Sequence, residues 1–417
     1  MTATLQRRGL GYSACFGEVE FRINRLRESG GELKAQLRVV RHYVAGPAGG
    51  ETLWRGSANL SSDRSRASLA GALAKVLAVD PLTSQPIRWD GLLNTFATQV
   101  LDAEDEELQL QLVGAGQIAD EPRALMGGSF LTPGERNLLY APGGTGKTTI
   151  AAAVALSLTT GAEIIPGWPV AQTMEVLILD FEDRPQRWHR LFQALARGAG
   201  LPEASIRYLR IRGRLADHLE QVASIVTEHG IGLLIIDSAE AAAGVSDGDG
   251  FNDRVARLYG AIGRLGVTTL MIDHVTGTDA RADHAEDMPY GGVFKVNWSR
   301  QVWRLQREKE PQNGRADLLL VNRKVNDGPK AAPISLSVIY GADSIRFERT
   351  ELEAPELVKS LSQPAQILHA LRTGAQSAGE LSDTLELPAG QVRSILNRLQ
   401  KSSRVVKLPT GHWGLGQ

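Results

Sequence analysis

The chain has 417 residues, with 46 Lys/Arg against 47 Asp/Glu and a formal net charge of −1. That length exceeds one hydrophobic core, so two or three domains are expected; 42% hydrophobic and 22% charged residues exclude a fibrous or disordered chain. The near-zero charge gives no global pull on polyanions, so any nucleic-acid surface has to be local or assembled from several copies.

The single cysteine, Cys15, cannot form an intramolecular disulfide, and no CxxC or Cys/His cluster has zinc spacing. The first twelve residues lack an apolar h-region, and no run approaches the roughly eighteen apolar residues of a membrane helix. A cytoplasmic, reducing location is expected.

In chain order, residues 1 to 107 alternate polar and apolar in short runs (Gly17 to Ile23, Leu33 to Tyr43, Thr52 to Leu60), which predicts an antiparallel sheet. Ser62 is placed to cap a helix over Arg64 to Leu77, and Trp89 to Leu101 carries apolar residues at helical spacing. The acidic run Asp102 to Glu107 closes this region. From Ser129 to Phe347 the pattern becomes short, almost wholly apolar strands between helices, as buried parallel strands read. The strands expected are Asn137 to Tyr140, Val176 to Asp180, Ile206 to Leu209, Leu233 to Asp237, Thr268 to Asp273, Gln301 to Leu305, Leu318 to Asn322 and Ile334 to Val338. Glu351 to Ser362 reads as a connector. Three short helices (Pro364 to Arg372, Ala378 to Leu385, Gly390 to Gln400) then precede a strand-turn-strand, Arg404 to Leu408 and His412 to Gly416. The third buries Val392, Ile395, Leu396 and Leu399 on one face, a winged-helix pattern.

The sharpest motif is A-P-G-G-T-G-K-T, Ala141 to Thr148, which matches the phosphate-binding pattern G-x-x-x-x-G-K-[ST] except for alanine in first place. It follows an apolar strand and opens an apolar helix, the context the mechanism needs. Gly143, Gly144 and Gly146 let backbone N–H groups converge on a phosphate; Thr145 and Thr149 complete the loop. Lys147 reaches the β and γ oxygens, and Thr148 offers its hydroxyl to Mg²⁺. Because the helix-forming part is intact, the alanine at 141 is not expected to abolish binding. Two strands end in carboxylates. Val176 to Asp183 ends L-D-F-E-D, where Glu182 either polarises an attacking water or belongs to a merely polar strand exit. Leu233 to Asp237 ends in an aspartate placed to accept from a Mg²⁺-bound water.

These residues, with the M-I-D-H strand ending at His274 and the G-G…R element from Gly291 to Arg300, resemble the RecA-like P-loop ATPases related to hexameric plasmid replicative helicases, and more distantly DnaB-type helicases, over about residues 125–347. The resemblance implies ATP and Mg²⁺ as cofactors, Glu182 as catalytic glutamate, His274 as γ-phosphate sensor and Arg300 as an arginine that a neighbouring subunit inserts toward the γ-phosphate, with Lys295 as a second cation. The family has His-His where this chain has Asp273-His274, which leaves the role of Asp273 open. Trp168, soon after the P-loop helix, is a candidate nucleotide contact.

The expected architecture is α/β: a RecA-like P-loop ATPase core (108–350), an N-terminal α+β domain (1–107) and a linker with a C-terminal winged helix (351–417). The segment from Leu361 carries six Lys/Arg against three Asp/Glu. Arg393, Arg398, Lys401, Arg404 and Lys407 fall where winged helices meet DNA phosphates. The loop from Val275 to Gly292 is predominantly acidic, which disfavours a phosphate backbone. Two functions are therefore expected: ATP hydrolysis at the interfaces of a homo-oligomer (hexamer or filament) driving a DNA process as helicase, loader or remodelling factor, or an ATP-switched scaffold of a mobile-element, phage or defence system that separates no strands. Protein partners would meet the N-terminal domain.

Overall fold

A computed structural model describes residues 3–29, 32–43, 50–80, 83–105, 123–182, 185–244, 250–275, 289, 292–307, 314–350, 358 and 361–416. The chain divides into two compact units, one of residues 1–121, 215–232 and 260–266, the other of 122–214, 233–259 and 267–417. The loop acids expected between 276 and 288, Asp183, and most of the connector lie outside the described residues.

The first unit opens with β1 (Gln6–Arg8), β2 (Gly11–Phe16), β3 (Val19–Ser29), β4 (Glu32–Arg41) and β5 (Glu51–Asn59), paired antiparallel in chain order. Alternation sends Phe21, Ile23, Leu37 and Val39 to one face. There they meet α1 (Asp63–Val76) and α2 (Trp89–Asp105), with Phe21 stacked on Phe96 at 5.3 Å. Ser62 caps α1 as expected, its hydroxyl accepting from the Ser65 amide. Strands β1 and β2 lie outside the expected runs, because Gly11-Tyr-Ser-Ala-Cys-Phe16 has small residues where an alternating strand shows large ones.

On the opposite face Glu20 is 5% exposed and accepts from Arg8 (3.3 Å), Arg22 (2.5 Å) and His42 (2.6 Å). Burial raises its pKa, and the bonds from Arg22 and His42 outweigh that, so it lies below the usual carboxylate value. Its contribution is therefore present above the ordinary carboxylate pKa and lost as pH falls through the lowered one. Glu20→Gln should cost about 1–3 kcal/mol at neutral pH, read as a lower urea midpoint. An unchanged midpoint would mean that the cluster carries no net stability.

The second unit is built on β6 (Arg136–Ala141), α3 (Lys147–Thr160), β7 (Glu175–Asp180), α4 (Pro185–Gly198) and β8 (Arg207–Arg210). After α5 (Leu219–Glu228), grouped with the first unit, come β9 (Ile231–Asp237), α6 (Ala239–Ala243), α7 (Phe251–Leu265), β10 (Thr268–His274), α8 (Gly292–Trp298), β11 (Gln301–Arg307), β12 (Arg315–Val325), β13 (Ile334–Tyr340) and β14 (Ile345–Arg349). The sheet order is β14-β13-β12-β11-β6-β10-β9-β7-β8. Pairing is parallel at β11–β6, β6–β10, β10–β9 and β7–β8. Every residue of α3 from Lys147 to Leu158 is buried; its run of alanines lets an all-round apolar helix sit deep in the core.

The far side of this sheet departs from the expected parallel pattern. Leu318 to Asn322 and Ile334 to Val338 are strands, but β12, β13 and β14 pair antiparallel. The connections between β12 and β13 and between β13 and β14 contain no crossover helix, which parallel pairing needs.

At the carboxyl end, α9 (Gln363–Ala370), α10 (Ala378–Leu385) and α11 (Ala389–Lys401) precede an antiparallel pair, β15 (Val405–Lys407) and β16 (Trp413–Leu415). They share a small core of Ile367, Leu381, Val392, Ile395, Leu396, Leu399 and Trp413. A capping box at Ser377 and Glu380 starts α10.

Candidate active site

Strand β10 lies between β6 and β9, so the ends of four parallel strands open toward one crevice. Ligands of open α/β sheets bind at these carboxyl ends. From β6 the chain turns through Pro142 to Gly146 into α3, with Gly144 at φ +74° and Gly146 at φ +107°, a region L side chains rarely adopt. A Cβ on Gly143, Gly144 or Gly146 would meet no protein atom within 4 Å, so the loop's glycines face open space. Thr145 donates its hydroxyl to the Pro142 carbonyl at 2.8 Å and tightens the turn. Ala141 is the last residue of β6, paired with His274 across to β10. A strand residue needs no glycine, which accounts for alanine in first place.

Lys147 folds back over the loop, its Nζ donating to the carbonyls of Ala141 and Pro142, both at 2.9 Å, and to His274 Nδ1 at 3.3 Å. Because a lysine ammonium only donates, His274 must accept at Nδ1 and carry its proton on Nε2. That nitrogen lies 3.7 Å from Glu182 Oε1. Ser238 also donates to Glu182. The nearby His274 imidazole, opposed by burial and helped by Ser238, holds Glu182 below the usual carboxylate pKa, so it is ionised at neutral pH.

Thr148 Oγ1 donates to Asp237 Oδ2 at 3.2 Å. Burial, with the nearby carboxylates of Glu182 and Asp180, raises Asp237 to about 6, so the site calls for a cation. A hydroxyl beside a carboxylate is a hard-oxygen donor set that suits Mg²⁺ carrying several waters. Asp180 is fully buried and accepts from the indole of Trp188 (2.9 Å), Tyr208 OH (3.1 Å) and the Glu182 amide (2.9 Å). It fixes the backbone that presents Glu182.

The structure thus brings Lys147, Thr148, Glu182, Asp237 and His274 together beside Gly143 to Thr149. Arg300 stands apart. Its amide bonds the Arg136 carbonyl at the start of β6, about 16 Å along the strand from the P-loop end, and its side chain meets Glu135 at 3.5 Å. Lys295 is corrected: its side chain is 0% exposed and pairs at 2.7 Å with Asp273, also 0% exposed, so it belongs to an interior ion pair and is not a second cation for a neighbour's γ-phosphate. Trp168 is likewise corrected: it is 2% exposed and packs on Phe130 at 4.5 Å in the core.

Two arginines escape sequence reasoning. Arg187 of α4 brings Nη2 to 3.4 Å from Thr148 Oγ1, and Arg307, ending β11, donates to the Gly144 carbonyl at 3.1 Å. Arg307 ends the strand beside β6, a position legible once strand order is known. Beside Thr149 a cavity of about 370 Å³ is lined by Arg187, Arg190, Leu191, Tyr340 and the turn from Gly341 to Ile345. A larger cavity of about 700 Å³, lined by Trp188, Phe192, Ile206 and Tyr208, includes none of the P-loop residues.

Burial lowers the Lys147 pKa to about 8, with Asp237 and Asp273 pulling the other way. An incoming polyphosphate favours the charged form, so binding takes up a proton above that value. Above about pH 8 the loss of the Lys147 charge should make ADP affinity, measured without divalent metal, fall by up to about tenfold per pH unit. A profile still flat at about pH 9.5, well above that pKa, would contradict the placement of Lys147.

No curated protein matches the chain. Solved structures similar to it include that of the KaiC-like protein PH0186 from the hyperthermophilic archaeon Pyrococcus horikoshii OT3, 18% identical, with 58% of this chain and 100% of that one covered and a TM-score of 0.38. No described helix is long and apolar enough to cross a membrane. Residues 103–280, less than half of the chain, match the family model described as an AAA domain, and at that level the expectation of an α/β P-loop ATPase core stands.

Proposed function

We propose that the protein hydrolyses ATP with Mg²⁺ at the interfaces of a homo-oligomer, of the RecA-like kind related to plasmid replicative helicases, and couples this to a process on DNA. The observation that carries the reading is the chain of contacts from Lys147 through His274 to Glu182, alongside Thr148 and Asp237. In this reading the loop from Gly143 to Thr149 and Lys147 hold the phosphates. Thr148 and Asp237 would hold Mg²⁺, which would supply neutralisation of the phosphate charge. Glu182, ionised, accepts a hydrogen bond from the attacking water, and His274 senses the γ-phosphate through Nε2. Arg187 adds positive charge beside Thr148, and the cavity next to Thr149 takes the base and ribose.

Arg300, remote from the site of its own chain, is assigned to a neighbour's γ-phosphate, which makes turnover depend on assembly. The three-domain division at 107 and 350 and the winged helix belong to the same proposal. Arg393, Arg398, Lys401, Arg404 and Lys407 are all exposed, on or just after α11 and on β15, where DNA phosphates would meet them. The test is phosphate release from Mg·ATP with and without DNA while particle mass is followed by light scattering. DNA-stimulated turnover by an ATP-dependent oligomer supports the reading. Turnover indifferent to DNA, with assembly driven by ATP, would favour the switched scaffold.

A further inference from the structure

The outer face of the five-stranded sheet in the first unit has no part in the chemistry above. Residues 1–60 carry nine Lys/Arg against five Asp/Glu in a chain of net charge −1. The register concentrates them. Gln6, Ser13, Arg22, Arg38 and Arg55 are partners across β1 to β5, so three arginines stand side by side on three adjacent strands. Their Cβ atoms are about 5 Å apart, a spacing at which like charges oppose folding. Farther along the same strands Arg27 stands opposite Lys34, whose ammonium pairs with Glu32 at 2.9 Å.

Neutralisation is incomplete. Glu20 serves Arg8, Arg22 and His42 at once, and Glu228 at the end of α5 adds a second negative charge near Arg22. Arg38 is exposed and donates Nε and Nη2 to the Thr52 hydroxyl, and Arg55 is exposed; among the described residues neither has a carboxylate partner. Exposed Asn24, Gln36 and Ser57 lie between the two basic rows and add neutral hydrogen-bonding groups. The sheet's aromatic residues Tyr12, Phe16, Phe21 and Trp54 all belong to the core on the other face. Among the described residues the strands' outer faces therefore offer cations and hydrogen bonds and no phenylalanine, tyrosine or tryptophan on which an unpaired base could stack, the nearest rings being His42, held on Glu20, and Tyr43 beyond the end of β4.

We propose that this face is a docking surface for the phosphodiester backbone of duplex DNA, centred on Arg22, Arg38 and Arg55. Its partner is selected by charge complementarity, and the lack of stacking groups favours a duplex, read without base contacts, over a single strand. This surface is distinct from the C-terminal one of the proposed function, and either can fail without the other.

The experiment is fluorescence anisotropy of a labelled duplex against the full chain over a salt series. Wild type, Arg38→Ala/Arg55→Ala and Arg393→Ala/Arg398→Ala are compared. Loss of two phosphate contacts should weaken binding about tenfold and lower the slope of log K against log salt by about 1.8. The melting temperature should not fall, since the variant relieves a row of like charges, and DNA-free ATP turnover should not change, since neither arginine touches the nucleotide site. Wild-type affinity and slope in the N-terminal variant would overturn the inference, and a loss confined to the C-terminal variant would do so while leaving the DNA reading intact. In the same titration with a labelled single strand of equal length, a loss confined to the single strand would overturn the assignment to duplex, and a wild-type chain that binds no DNA would overturn both.

Discussion

Glu182→Gln should reduce ATP hydrolysis by about 10²- to 10⁴-fold, the range general-base groups contribute, while ATP affinity stays within a few-fold. The amide keeps the side chain's shape and one acceptor oxygen for Ser238 and His274. It loses the negative charge that orients and polarises water. Glu182 makes none of the contacts that position Lys147 or tie Thr148 to Asp237, so the phosphate and metal groups should remain in place. Nucleotide titration together with phosphate release separates the two effects. Turnover preserved within about tenfold would remove Glu182 from the chemistry.

Lys295→Met should destabilise the second unit by about 3–5 kcal/mol, the loss seen when one partner of a buried ion pair is removed. The pair is fully enclosed: Lys295 Nζ lies 2.7 Å from Asp273 Oδ2 and both side chains are 0% exposed. Among the described residues Asp273 Oδ1 has no hydrogen-bond partner, so the aspartate relies chiefly on this cation, with the His274 backbone in support. Burial already raises the Asp273 pKa against the pull of Lys295; without the lysine the carboxyl would be driven to take up a proton. Asp273 immediately precedes His274, so turnover should fall as well. Combining Lys295→Met with Asp273→Asn should recover much of the stability, because no uncompensated charge then remains. Urea unfolding of the two single variants and the double variant measures the coupling. A single variant within about 1 kcal/mol of wild type would show that the pair contributes little.

Most of the nucleotide site is legible in the sequence because its chemistry demands fixed spacing. Glycines at 143, 144 and 146 before Lys147 and Thr148 have few other uses, and apolar runs ending in Glu182, Asp237 and His274 place their polar ends at one sheet edge. What is not legible depends on residues far apart in the chain. Lys295 meets Asp273 only once α8 packs beside β10, so neither its burial nor the role of Asp273 shows in a local pattern. Asp180 reads as one more acid at a strand end, yet its partners Trp188 and Tyr208 belong to α4 and β8. Arg187 and Arg307 sit among ordinary surface-looking sequence; the packing of α4 brings the first to the P-loop and strand order the second. Strand β14, Ile-Arg-Phe-Glu-Arg, alternates charge with apolar residues at an antiparallel edge and so lacks the wholly apolar signature of a buried parallel strand.

The most direct test of the central claim is steady-state phosphate release from ATP by the full-length wild-type chain with and without Mg²⁺, beside Lys147→Ala. Magnesium-dependent turnover that disappears in the variant is the predicted result. Turnover that survives loss of Lys147, or its absence from wild type at every protein concentration with DNA present, would contradict the assignment of this crevice as an ATP-hydrolysing site.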